Sequence, residues 1–521
     1  MRNKFIQVFF LSCLMICSSC VEDSSTGLIN EVNDVRIEGL MPEYRVMLYE
    51  NLKITPEISA SLSSKQLSYL WYLTTPTSSY EADTLSFEKD LDIVFTPDIA
   101  NPGEKIELTY KVTDLESGVF YTKKAKLDLM TQYTKGTLVL CKNSENSALH
   151  FLNKTDINNP VLLENCYRSA NEGNAPGENP VGVFAINPSD SRPQMREVML
   201  CCNDQRGGAF LNPNTLRDHR TMAEAIQYKP EETYSVSAFI KTSLIDYLLV
   251  NGQVCKRAAN MGNMMWEVPM VSVDGEKSYS VVPPEMNFAG IYYFYDQKYG
   301  RLLGHDQWNK GALKRVGNNQ NDNTYFDINN IGTDMTYLCG GNLVLVNNHW
   351  IAFRNKADQS VWVYTFMLET KEGQKRIISK SKTKITSSIA ANAFSAHSFS
   401  SLKNISGILF YATKDGLYGL DINSISGDKN CEIKLVDGNE SRFEFTGFEM
   451  DKYKVERLEN GLVTIKDELL IKAYIKDLSL TQKQGGFAEY QLSMTGGLKA
   501  LYVTHRSGFC DRVVDLEEKY N

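Results

Sequence analysis

The feature that most constrains this chain is a short plan repeated through its C-terminal three quarters: an apolar strand, a small polar turn, and a second strand ending near a polar or acidic residue. GTLVLCKNSENSALHFLN (136–153) is the first instance, and VMLCCNDQRGGAFLNPNTL (198–216) and YLLVNGQVCKRA (247–258) follow. IYYFYDQKYGRLLGHD (291–306), NLVLVNNHWIAFRN (342–355) and VWVYTFML (361–368) continue it, and GILFYATKDGLYGLDINS (407–424) states it most clearly. ELLIKAYIK with AEYQLS (468–493) and LKALYVTHRSGFCDRVVDL (498–516) close the series. One hairpin cannot bury its own faces, so repetition implies stacking into a larger structure. At about 40 to 50 residues per blade, residues 135–521 predict a β-propeller-like domain of roughly six to eight blades. A solenoid would need a shorter and stricter period. The Asn-, Gly- and Pro-rich stretches 171–179 and 318–323 read as rim loops, and Met222–Tyr228 as a turn of helix.

Residues 34–131 are organised differently. Six short runs rich in β-branched and aromatic residues (VRIEGL, YRVMLYENLKITPEIS, LSYLWYLT, TLSFEKDLDIVF, KIELTYKVTD and GVFYTKKAKLDL) alternate with turn signals, which predicts an immunoglobulin-like β-sandwich. In LSYLWYL, residues Leu67, Tyr69, Trp71 and Leu73 share one face at period two, with Trp71 expected inward. Asp114 to Gly118 reads as a hairpin loop between two alternating strands. The expected fold class is therefore all-β throughout, with the polar segment 131–135 as the boundary.

The N-terminus assigns a compartment. Arg2 and Lys4 precede an apolar run from Phe5 to Ile16, and Ser18 and Ser19 precede Cys20. The run suits the core of a secretory signal, about 7 to 15 residues, and falls short of the roughly 20 needed to span a bilayer. Residues 1–19 read as the signal and 20–33 as a flexible tether. Two readings stay open: lipidation at Cys20, or ordinary cleavage after Ser19. The body is mildly acidic, with a formal net charge of −8 that falls further when Arg2 and Lys4 leave. That argues against nucleic acid, which needs clustered Lys and Arg. Of 11 cysteines, eight lie beyond Cys20, widely spread apart from the adjacent Cys201 and Cys202, and read mostly as buried thiols.

The signal ending on Cys20 resembles that of bacterial lipoproteins, and Glu22 and Asp23 resemble the acidic signal by which Bacteroidetes lipoproteins reach the cell surface. The LSYLWYL strand and the VTD-x-x-x-G hairpin resemble PKD-type immunoglobulin-like domains. Together with the ordered series from TKGTLVLCKNSENSALHFLN to GFCDRVVDLEEKY, they make the chain similar to the PKD-like lipoproteins of Bacteroidetes found beside SusC-like transporters and SusD-like binding proteins. That resemblance implies an outer-membrane, lipid-anchored, outward-facing accessory of nutrient uptake that binds a glycan or glycopeptide or the uptake complex itself. A hydrolase or lyase on the same polymers and a purely structural or adhesive role are the rivals.

No zinc, nucleophile-elbow or phosphate-loop motif is present, so neither metal nor cofactor is expected. Gly304-His305-Asp306 could carry chemistry but reads better as a polar strand end. Asn319, Asn321 and Asn323 alternate as calcium ligands do, without the glycine such a loop needs. Trp266, Trp308, Trp350 and Trp362 are the candidate glycan platforms if exposed, and core if not.

Overall fold

The computed structural model describes residues 33–519 apart from short stretches, of which 76–82, 187–194, 317–323, 387–392, 401–406 and 426–431 are the longest. Contacts divide the chain into a first unit ending at Asp128 and a second running from Leu129, which also takes in Asn101–Glu104.

The first unit is a β-sandwich. Its five-stranded sheet runs in the order Glu43–Met47, Phe120–Met130, Ile106–Asp114, Leu67–Thr74, Asp83–Ser86; Val35–Glu38 pairs with Glu57–Ala60, and Asn51–Ile54 with Leu91–Val94. Trp71 and Leu73 are fully buried, and the Trp71 ring stacks 4.2 Å from that of Tyr110, its register partner. Leu67 and Tyr69, on the same face, are only half-buried. The long run YRVMLYENLKITPEIS is not one strand. It breaks at a turn in which Glu50 N–H donates to Met47 O and Tyr49 adopts φ 68°, and the strands on either side join different sheets. Period-two patterning cannot register such a switch, because alternation continues through it. The 114–118 hairpin closes on Asp114, whose Oδ1 accepts the N–H groups of Glu116 and Ser117, while Gly118 supplies φ 70°.

Among the described residues the second unit forms seven sheets, the blades of a propeller. Blade 1 joins Gly136–Asn143, Asn146–Asn153 and Val161–Leu163 to the last strand of the chain, Arg512–Lys519. Blades 2 to 7 follow in sequence, opening with Pro180–Ile186, Val236–Ile240, Val281–Val282, Met335–Asn342, Phe399–Ser400 and Phe443–Glu459. Blade 3 has three regular strands, flanked by a segment in which Glu267 and Met270 N–H groups donate to Lys256 and Val254 carbonyls. VWVYTFML proves to be the third strand of blade 5 rather than a repeat of its own, which is why the sequence spacing looked irregular.

Ring closure follows from which way alternate side chains face. Leu138 and Leu140 pack with Val183, Val198 and Leu200 of blade 2, whereas Val139 and Cys141 pack with Phe487, Phe509 and Cys510 of blade 7. The same division recurs at every blade. Met199 and Cys201 meet Leu248 and Val250, Tyr247 and Leu249 meet Tyr292 and Phe294, and Tyr293 and Tyr295 meet Ile351 and Phe353. Trp350 and Ala352 then meet Leu409 and Tyr411, and Phe410 and Ala412 meet Ile471 and Ala473. Strands buried on both faces favour apolar residues at successive positions, which is the reason for the runs VMLCC and YLLV in Glu197–Cys202 and Ile245–Val250. It also explains the adjacent cysteines: Cys201 faces blade 3 and Cys202 faces blade 1. At Asn251-Gly252, φ of 53° and 72° give a two-residue hairpin between Val250 and Gln253. Met222–Ala225 is the expected helical turn, opened by a capping box between Thr221 and Glu224.

Candidate functional site

The strands that open the blades line the axis of a propeller. Arg512–Lys519 of blade 1 packs against Pro180–Ile186 of blade 2, and blade 7 approaches from the other side. A β-bulge shapes this strand: Leu140 pairs with Asp515 but Cys141 with Val513, so Val514 is the extra residue. Bulges re-aim the side chains beyond them. Here Leu516 and Glu518 face blade 7, while Asp515 and Glu517 reach blade 2.

Asp515 and Glu517 stand two residues apart, as do Val183 and Ala185 on the neighbouring strand. Asp515 Oδ2 accepts the Val183 N–H at 2.8 Å and Glu517 Oε1 accepts the Ala185 N–H at 3.1 Å. Two carboxyls thus cover an edge whose N–H groups would otherwise face the axis unpaired. Tyr474 of blade 7 donates to Asp515 Oδ1 at 3.2 Å.

Blade 7 contributes a charged row. Glu449, Lys472 and Glu489 lie opposite one another across three strands. Lys472, only 1% exposed, donates to Glu518 Oε1 at 2.6 Å, lies 3.8 Å from Glu449, and sits 4.0 Å from the centroid of the Tyr453 ring. Glu518 Oε1 also receives Lys154 at 2.9 Å and the Thr137 hydroxyl at 2.8 Å. One carboxylate oxygen therefore ties blade 7 to both ends of the blade 1 hairpin.

These environments push the carboxyls apart. Burial raises Glu518, but Lys472 and Lys154 overrule it and hold the group at about 2. Burial dominates at Glu517, raised to about 8, and at Asp515, raised to about 6. Glu449 is also raised well above the usual range, first by burial, even though Lys472 is near. The geometry resolves that apparent conflict: Lys472 is committed to Glu518, more than 1 Å closer, and Glu449 instead accepts the Tyr453 hydroxyl at 3.2 Å. Lys472 is lowered by burial but raised overall by Glu518, Glu449 and Glu489. Glu449, Asp515 and Glu517 are half-buried, closely surrounded by protein yet each keeping some accessible surface.

The shift at Glu517 sets a pH dependence. Its folded value lies above its unfolded one, so between about pH 5 and 8 the unfolded chain ionises first and stability falls as pH rises. Asp515, Lys472 and Lys241 bear on the group, and its partial exposure lets solvent screen it. Glu517→Gln should therefore gain about 1–2 kcal/mol on wild type between pH 5 and pH 8, read as urea midpoints, an amount well below the full shift because of that screening. An unchanged difference between the two pH values would contradict a buried, protonated Glu517.

The residues singled out by sequence fall elsewhere. Cys20, Glu22 and Asp23 lie outside the described residues, as do Asn319, Asn321 and Asn323. Trp266 is fully buried between blades 2 and 3 beneath the Arg257 guanidinium, 4.2 Å away, and Trp350 is fully buried between blades 5 and 6. Trp362 is half-buried against the blade 4–5 core, with Nε1 donating to Ser360 Oγ at 2.9 Å. Trp308 alone of the four is open, at 72% exposure. His305 is fully buried, its Nδ1 lies 2.6 Å from the Tyr247 hydroxyl, and burial lowers it to about 4: a strand-end core histidine. Among the described residues no group of three or more His, Cys, Asp or Glu is placed to hold a metal ion. The inner-wall carboxyls were missed by sequence. Their only local signals are acids two apart in VVDLEEK and a lysine inside the apolar run LLIKAYI.

Residues 20–180 match the family model described as the PKD-like family, so the chain carries a PKD-like domain within an all-β architecture. No curated protein matches the chain. Among solved structures it is similar to a quinonprotein alcohol dehydrogenase-like protein from Bacteroides thetaiotaomicron, at 10% identity over 93% of this chain and 98% of that one, with a TM-score of 0.33. AztD from Citrobacter koseri matches at 9% identity over 87% and 98%, TM-score 0.30. The Nup133 β-propeller domain of Vanderwaltozyma polyspora matches at 10% over 66% and 89%, TM-score 0.31.

Proposed function

We propose that the chain is a lipid-anchored outer-membrane protein facing the cell exterior, whose propeller binds a glycan or glycopeptide as an accessory of a SusC/SusD-like nutrient acquisition system. One observation carries the binding reading: Glu449, Asp515 and Glu517 keep part of their surface accessible with Tyr453 on strands facing one axis. Carboxyls held in different protonation states offer both acceptors and donors to sugar hydroxyls, and a tyrosine face suits the apolar side of a sugar ring. Trp308 offers a second, open platform. The Cys20, Glu22 and Asp23 pattern supports display from a membrane, with the PKD-like domain as stalk.

A different observation favours a hydrolase or lyase acting on the same polymers. Glu517, held protonated near neutrality by burial, is the kind of group that general-acid chemistry requires. Glycan-array binding and product release, measured together on the mature chain, separate the two. Binding without product, weakened about tenfold in Glu449→Ala, supports the binder. Product formation that vanishes in Glu517→Gln makes it an enzyme. Neither binding nor product, with a transporter still captured, sinks both. Palmitate labelling that persists undiminished in Cys20→Ala would refute the anchor.

A further inference from the structure

The ring closes where the chain leaves blade 7 and enters blade 1, and two cysteines meet there. Cys510 ends the outer strand Lys499–Cys510 of blade 7, and Arg512 begins the strand that completes blade 1. Cys141 lies on Gly136–Asn143, directly opposite Val513. The crossing is pinned on both sides: Asp511 N–H donates to Asn143 Oδ1 at 3.0 Å, and Ser144 N–H donates to Asp511 Oδ2 at 2.9 Å. Both thiols are fully buried in one cluster with Val139, Phe487, Phe509 and Val513, where they are side-chain neighbours. The other cysteines have different surroundings. Cys166 donates to Leu163 O, Cys202 lies against Ser147 Oγ, and Cys201 points to the opposite face from Cys202.

We propose that Cys141 and Cys510 form a disulfide that locks the first and last strands of the propeller together. The reaction is thiol–disulfide exchange with a disulfide-bearing donor of an oxidising compartment. The thiolate of one cysteine attacks the donor, releasing one donor thiol; the second cysteine then attacks the mixed disulfide, releasing the other. Two protein thiols are oxidised and one donor disulfide is reduced to two thiols. In the folded ring this cannot start readily, because burial, reinforced by the neighbouring Cys510, raises the Cys141 thiol well above its ordinary value and leaves it un-ionised. The bond therefore forms while the last strand is docking, before the cluster closes. About 370 residues separate the pair, so the unfolded chain loses the freedom of a very large loop.

The proposal rests on export, the compartment part of the functional reading, so the test has two arms. In the first, the full chain isolated from cell envelopes is denatured with an alkylating reagent, then reduced and labelled with a second reagent before peptide mapping. Cys141 and Cys510 should escape the first reagent and take the second, while Cys166, Cys201, Cys202 and Cys255 take the first. In the second arm, the chain lacking residues 1–19 is refolded in glutathione redox buffer and mapped the same way. Linkage here should raise the melting temperature by several degrees, a gain that reductant removes and that Cys510→Ser never shows. Linkage in the second arm alone upholds the pair and overturns export. Both thiols taking the first reagent in both arms overturns the disulfide, whether or not Cys510→Ser folds, since that mapping is done on wild type.

Discussion

Lys472→Met is expected to destabilise the propeller by about 3–5 kcal/mol, the cost of breaking a buried ion pair by deleting one partner. The substitution keeps the volume of the aliphatic stem, so the loss is electrostatic. Glu518, held at about 2 chiefly by Lys472 and Lys154, would retain Lys154 and Thr137 but lose its closest donor inside the wall between blades 7 and 1. Pairing the change with Glu518→Gln should recover much of it, because removing both charges is far cheaper than stranding one. Urea midpoints of the two variants are the measurement. If single and double variants unfold together, the network is not a unit. The stability that Glu518 contributes should be present above about pH 4.5 and disappear as pH falls toward 2, opposite in sign to the Glu517 effect.

Trp71→Ala should cost the sandwich about 3–5 kcal/mol, the range for removing a buried large aromatic. Trp71 has no exposed surface, stacks on Tyr110 and donates from Nε1 to Lys89 O at 3.3 Å. A cavity of that size cannot collapse readily in a core also formed by Leu73, Leu108 and Phe95, all fully buried. For a domain of about a hundred residues this is a large share of a typical 5–15 kcal/mol stability. Calorimetry and limited proteolysis should show cleavage appearing between residues 34 and 128 while the transition of the second unit stays put. Equal movement of both transitions would contradict two separate cores.

The two aromatic sets explain how far sequence reading reached. Trp71 at period two in LSYLWYL announced its own burial, because alternation in one strand fixes the face and the neighbouring Leu73 shares it. Trp266 and Trp350 gave no such signal: Trp350 lies in a strand apolar at both parities, since both its faces meet another blade, Trp266 lies on the irregular segment flanking blade 3 where no period applies, and composition alone cannot tell a platform from a core side chain. Blade number was bracketed but not fixed. The third strand of blade 5 resembled a new repeat, and Pro180–Ile186, the opening strand of blade 2, was not recognised at all.

The amino-acid order by itself determined the secondary-structure class, the presence of two differently patterned regions, the inward Trp71, and the Cys20 pattern that suggests an address. Those properties are local, set by period, turn residues and short spacing. Only the tertiary structure decided that Arg512–Lys519 completes blade 1, that Cys141 meets Cys510, and that Lys472, Lys154 and Glu518 share one oxygen across the closure. These contacts join residues from 46 to several hundred positions apart, and no local pattern records them. They exist because a ring of seven sheets must end where it began, and the residues at that seam have been given the charges and thiols that hold it shut.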